Sequence, residues 1–116
     1  MAVGGAPVTP VGKDGTVLGR PASYTPRGYR QFTSADLATA VGFADIAGGV
    51  PEGATTAIIE NNGTQAVRWR DDGIDPTASV GNRVAAGGVL GYDGDFSAIK
   101  FIRESAGALL DVWTGS

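Results

Sequence analysis

The stretch Thr56-Ala57-Ile58-Ile59-Glu60-Asn61-Asn62-Gly63-Thr64-Gln65-Ala66-Val67-Arg68-Trp69-Arg70 decides the fold class. Thr56 to Glu60 holds adjacent isoleucines and reads as a strand. Asn61-Asn62-Gly63-Thr64 is a tight-turn signal, because Asn-Gly accepts the positive φ angles of a type I′ hairpin. Ala66 to Arg70 is then the return strand. With Asn62-Gly63 as the two-residue loop, Ile58 is expected to face Val67, and Thr56 to face Trp69. Those four point to the core in this reading, and Arg68 and Arg70 point to the opposite face. Asn62-Gly63-Thr64 also spells a glycosylation sequon, but the turn accounts for it without sugar.

The rhythm continues on both sides. Asp71 to Gly81 is a polar loop containing Pro76, and Val84 to Tyr92 reads as a second hairpin around Gly87-Gly88. Phe96 to Ile102 reads as a strand buried on both faces. Ser105-Ala106-Gly107 turns the chain, and Leu109 to Trp113 closes it. Upstream, Thr33 and Asp36 have capping-box spacing, yet Leu37, Val41 and Phe43 hold no clean helical face. Residues 36–46 fit a helix or a strand, and alternation favours the strand. Gly48-Gly49-Val50-Pro51-Glu52-Gly53 is a turn cluster. Five or six short strands follow at intervals of about ten residues, the spacing of an all-β fold. The expected architecture is a compact β-sandwich, jelly-roll-like, or a small barrel.

Residues 1–28 differ from the rest. They hold Pro7, Pro10, Pro21 and Pro26, which no helix or central strand accommodates. Between them lie small and β-branched residues such as Val8, Thr9, Val11 and Val17. The expected organisation is an extended Gly/Pro-rich N-terminal arm over 1–28 and a β body over 29–116. Such an arm gains order by docking, with Tyr24 and Tyr29 at its root.

The 116 residues, 11.7 kDa, suit one domain with a small core. There is no cysteine, so no disulfide framework or thiolate metal site is expected. There is no histidine, which removes the usual general base and the commonest zinc ligand. An enzyme is therefore not expected. No apolar run approaches the roughly 20 residues of a membrane helix, and the first residues do not read as a secretory signal. The charge is uneven. Residues 1–30 carry Lys13, Arg20, Arg27 and Arg30 against Asp14, a net +3, while residues 31–116 carry −6. An acidic body repels phosphates, so neither nucleic acid nor membrane is an expected partner.

Asp71, Asp72, Asp75, Asp93 and Asp95 invite a calcium site, but their spacing differs from the calcium loop, and turns use these residue types anyway. A glycosidase carboxylate pair needs a cleft that so small a domain has little room for. No cofactor or metal is expected. Trp69 and Trp113 are each a stacking surface or core. Arg68 and Arg70 suit ion pairs or a neighbouring subunit better than an anion site.

The run Ala57-Ile58-Ile59-Glu60, then Val67-Arg68-Trp69-Arg70-Asp71-Asp72-Gly73 and Pro76-Thr77-Ala78-Ser79-Val80-Gly81, resembles a family of small structural proteins of tailed bacteriophages. Tyr92, Gly94-Asp95, Ser97 to Ile102 and Ala106 to Val112 extend the likeness over about residues 50–113. The resemblance implies a virion component with a compact β fold and no active site, either a capsid decoration (cement) protein or a tail-associated part. The expected partners are the major capsid protein and other copies of the chain, as a trimer or dimer, on the outer capsid surface. The expected contact residues are Tyr24, Arg27, Tyr29, Arg68 and Arg70. The alternative is a tail, baseplate or fibre component acting as an adaptor or host-surface binder. A sugar-binding module using Trp69 or Trp113 is a third class.

Overall fold

The computed structural model describes residues 24–116, and the expected arm up to Ser23 lies outside them. Among the described residues, eight strands form two four-stranded antiparallel sheets: β1 Pro26–Phe32, β2 Val41–Gly42, β3 Thr56–Asn61, β4 Val67–Arg70, β5 Asn82–Val84, β6 Val89–Tyr92, β7 Lys100–Arg103 and β8 Leu110–Gly115. One sheet has the order β1-β8-β3-β6 and the other β2-β7-β4-β5. Only β4 and β5 are neighbours both along the chain and in a sheet. Every other described connection passes from one sheet to the other, and that alternation is the jelly-roll topology. The all-β expectation holds. Strand β1 begins at Pro26, so residues 26–28 lie in the sheet, where proline is tolerated because β1 is at the edge of the described sheet.

Both expected hairpins are instead crossings between sheets. Strand β3 pairs with β8 and β6, while β4 pairs with β7 and β5. Ile58 therefore lies opposite Trp113 and Gly91 rather than Val67. The reason sits in Asn61 to Thr64. The chain does not reverse there but runs on beside the start of β8, with the Asn62 amide on Leu109 O at 2.9 Å and the Thr64 amide on Gly107 O at 2.9 Å. Gly63 does not adopt a positive φ. It is needed for close approach, since a Cβ there would stand 2.2 Å from Gly107 O and 2.5 Å from Leu109 N.

The fully buried Asn61 fixes this crossing. Its Nδ2 donates to Gln65 O at 2.8 Å and Val84 O at 3.1 Å, and its Oδ1 accepts from the Gly63 amide at 3.1 Å. Its backbone exchanges bonds with Gly87 and Gly88, which ties in the second crossing. A buried side-chain amide with both ends satisfied stabilises one path of the chain against others.

The change of pairing also reverses the inward face of β3. Ala57, Ile59 and Asn61 point inward, and Thr56 and Ile58 point outward. In β4 the expectation holds, with Val67 and Trp69 inward and Arg68 and Arg70 outward. Residues 36–46 are mostly not strand. Two short 3-10 turns, Asp36–Ala38 and Phe43–Asp45, flank the two-residue β2. The Thr33–Asp36 reciprocity is present, with the Thr33 amide on Asp36 Oδ2 at 3.0 Å and the Asp36 amide on Thr33 Oγ1 at 3.2 Å. Phe96 and Ile99 are buried as expected, but they flank a turn, and the strand covers only Lys100–Arg103.

The core between the sheets is aromatic. Phe43 stands edge-on to Phe32 at 5.4 Å, Phe96 at 5.6 Å and Phe101 at 6.3 Å. Tyr92 joins this cluster to Trp69 at 5.8 Å. Such edge-to-face pairs add to the stabilisation from burial itself.

Candidate functional site

Alternation in β8 puts Leu110, Val112 and Thr114 inside and Asp111, Trp113 and Gly115 on the outer face of the β1-β8-β3-β6 sheet. Register then assembles two rows on that face. One is Tyr29, Trp113, Ile58 and Gly91; the other is Gln31, Asp111, Glu60 and Val89. Tyr29 is 53% exposed, yet it is held at both ends. Its ring centroid lies 5.3 Å from that of Trp113 at 47°, and its hydroxyl donates to Asp111 Oδ1. The Tyr24 ring extends the aromatic surface, since it occupies the space where an outward Cβ on Gly115 would stand.

Asp111 organises the polar row. It is almost fully buried and accepts from Tyr29, from Gln31 Nε2 at 3.0 Å and from Asn62 Nδ2 at 2.6 Å. Burial opposes its ionisation, but the three donors outweigh that penalty and hold its carboxyl below the usual aspartate value. The same contact raises the Tyr29 hydroxyl. A carboxyl depressed on folding stabilises the protein above the unfolded-state value of about 4. That contribution is lost as the pH falls through the folded value. Asp111→Asn is therefore expected to be clearly less stable than wild type at pH 7, and the gap should narrow toward pH 3 in paired urea titrations. An equal gap at both pH values would remove the carboxylate from the account.

Arg68 and Arg70 lie on the outer face of the other sheet, on the far side of the sandwich from Tyr29. Arg68 Nε meets Glu104 Oε2 at 2.6 Å, and its Nη1 donates to Gly81 O at 3.1 Å. Glu104 also pairs with Arg83 at 3.0 Å, and the two guanidiniums hold its carboxyl below the ordinary value. Arg70 grips Asp72 through Nε at 3.0 Å and Nη2 at 2.5 Å. Lys100 faces Asp75 at 3.4 Å. These cations are spent largely on neighbouring carboxylates.

The five expected contact residues thus divide. Tyr24, Arg27 and Tyr29 stand together at the β1–β8 edge, where Arg27 Nε donates to Ser116 Oγ at 2.9 Å. Arg68 and Arg70 are on the opposite sheet. Trp69 packs on the core, whereas Trp113 faces outward. Asp71 accepts from the Tyr92 hydroxyl at 2.9 Å, and Asp95 from the Ser97 amide and hydroxyl. Among the described residues, no group of three or more Asp, Glu, His or Cys side chains is placed to hold a metal ion. Sequence reading missed Asp111 and Gln31. The alternation of Leu110-Asp111-Val112-Trp113 carried the signal for the first, since it places a carboxylate beside an outward tryptophan.

No family model, no curated protein and no solved structure matches this chain.

Proposed function

We propose that the chain is a virion structural protein of a tailed bacteriophage, of the capsid decoration type, binding the outer capsid surface and stabilising the shell. The carrying observation is Tyr29, exposed yet clamped by Asp111 and Trp113 on the outer face of the β1-β8-β3-β6 sheet. An aromatic fixed before contact loses little freedom on binding, which suits a residue that anchors an interface. The compact two-sheet body supports this reading, as does the phage-like run Val67 to Gly81, which spans β4, its loop and the turn closed by Thr77 and Val80. The action is physical. A protein that binds only the assembled shell stabilises it by mass action, and many copies multiply weak contacts.

The test is quantification of the chain in purified particles, with wild type, Tyr29→Ala and a deletion of residues 1–22 supplied to particles lacking it. Wild type is expected near the copy number of the major capsid protein, and both variants should be strongly depleted. Copies numbering only a few to tens would support the tail-associated alternative. Absence from particles, or full occupancy by both variants, would overturn the proposal.

A further inference from the structure

We propose that β6 is a self-pairing edge: it joins antiparallel to β6 of a second copy of this chain about a two-fold axis at Leu90, so that two β1-β8-β3-β6 sheets run together. The inference is independent of the capsid reading and concerns the isolated protein. Three observations carry it.

The first is which backbone groups β6 leaves over. The Asn61 amide donates to Gly88 O at 2.9 Å, so Asn61, Ile59 and Ala57 bond across the ladder to Gly88, Leu90 and Tyr92. The N–H and C=O groups of Val89 and Gly91 therefore aim away from β3. Among the described residues, no strand takes them up.

The second is an edge without the usual protection. Proteins blunt exposed edges with proline, charge, irregular pairing or very short strands. Strand β1 starts on Pro26 and shifts register between Pro26 and Gly28. Strand β2 has two residues, and β5 has three and carries Arg83. Strand β6 is Val89-Leu90-Gly91-Tyr92, with no proline, no charge and unbroken register.

The third is Gly91. A glycine weakens a strand and often marks the close approach of another backbone. At Gly28, Gly42 and Gly115, the other described strand glycines, an added Cβ would meet an atom within 3.5 Å. At Gly91 it would meet no described atom within 4 Å, and the φ is not positive. Two residues away on the same outer face, Val89 is 48% exposed. With Leu90 on the axis, Val89 stands opposite the partner's Gly91, fills that space and exchanges two backbone hydrogen bonds with it. The same four residues supply both halves of the fit, which singles out a second copy as the occupant.

Pairing must keep outer face against outer face, so the axis moves only in steps of one residue. An axis at Gly91 would set Asp93 against the partner's Val89. One at Val89 would call on the Gly87 amide, which already donates to Asn61 O at 2.8 Å. The Leu90 axis avoids both and leaves the two copies of Asp93 about 20 Å apart, beyond the screening length.

The chain has no cysteine, so introduced thiols report alone. Full-length Val89→Cys and full-length Gly91→Cys are mixed, oxidised gently, and the covalent dimers are weighed by mass spectrometry. In the proposed register, residue 89 lies about 5.5 Å from residue 91 of the other copy, within disulfide reach. Like residues are about 8 Å apart, which is too far. The mixed disulfide is therefore expected to exceed either homodisulfide by about tenfold or more. Adding Gly91→Pro to the Val89→Cys chain removes an N–H that bonds nothing in its own sheet, so its urea midpoint should stay in place. The mixed disulfide should nonetheless fall about tenfold. A statistical mixture of the three dimers, a dominant homodisulfide, or a yield untouched by the proline would overturn the proposal. So would no disulfide at all, the result expected if another segment of the same chain held the edge.

Discussion

Asn61→Ala is expected to lower the melting temperature by roughly 15–30 °C, from a loss of about 3–5 kcal/mol. The substitution removes an amide that satisfies Gln65 O, Val84 O and the Gly63 amide, and it fills none of the space. Groups left unpaired in the interior bear the full cost of losing water. The damage extends beyond three bonds, because Asn61 is where both crossings meet: Gln65 belongs to the connection from β3 to β4, and Val84 leads into that from β5 to β6. Calorimetry of the wild type and Asn61→Ala, with Asn62→Ala for comparison, checks this. Asn62→Ala removes the bonds to Asp111 and Glu60 at the surface side of the same turn, so a smaller loss is expected. An Asn61→Ala protein that melts within a few degrees of wild type would show that the crossing is set elsewhere.

Phe43→Ala is expected to cost about 3–5 kcal/mol, the range for truncating a buried phenylalanine. Phe43 is fully buried, meets the rings of Phe32, Phe96 and Phe101, and lies beneath the Arg30 guanidinium at 5.5 Å. No single neighbour can collapse into the space, because each is held by a different segment: β1, the turn before β7, and β7 itself. Phe43→Leu should recover much of the loss by keeping most of the volume. Urea titration of both variants reads the difference. Equal stability of Phe43→Ala and wild type would mean that the aromatic cluster is not the centre of the core.

The all-β class was legible because it rests on local patterns: prolines and glycines at turn spacing, and β-branched runs between them. The inward phase of β4 was legible too, since Val67 and Trp69 alternate with two arginines. The partners of each strand were not. Asn62-Gly63 has the composition of a hairpin turn, but the same residues serve a chain that must pass beneath Gly107 without a side chain in the way. Composition does not distinguish positive φ from close approach, and that ambiguity carried Ile58 to the wrong side. The split of the expected contacts between two faces has the same origin, because it depends on which sheet β1 and β4 each join. Phe43 was ambiguous for another reason. A two-residue strand between two short turns has no period long enough to read.

The position of β8 bears on how the molecule is made. It is the last of the eight described strands, yet it lies between β1 and β3. While the polypeptide leaves the ribosome, β1 has no partner among the described strands, and β3 can zip only to β6, until Leu110–Gly115 has emerged. Closure of that sheet waits for the last of its four strands to be made. Nascent or C-terminally clipped chains would expose bare strand edges, the state most prone to aggregate.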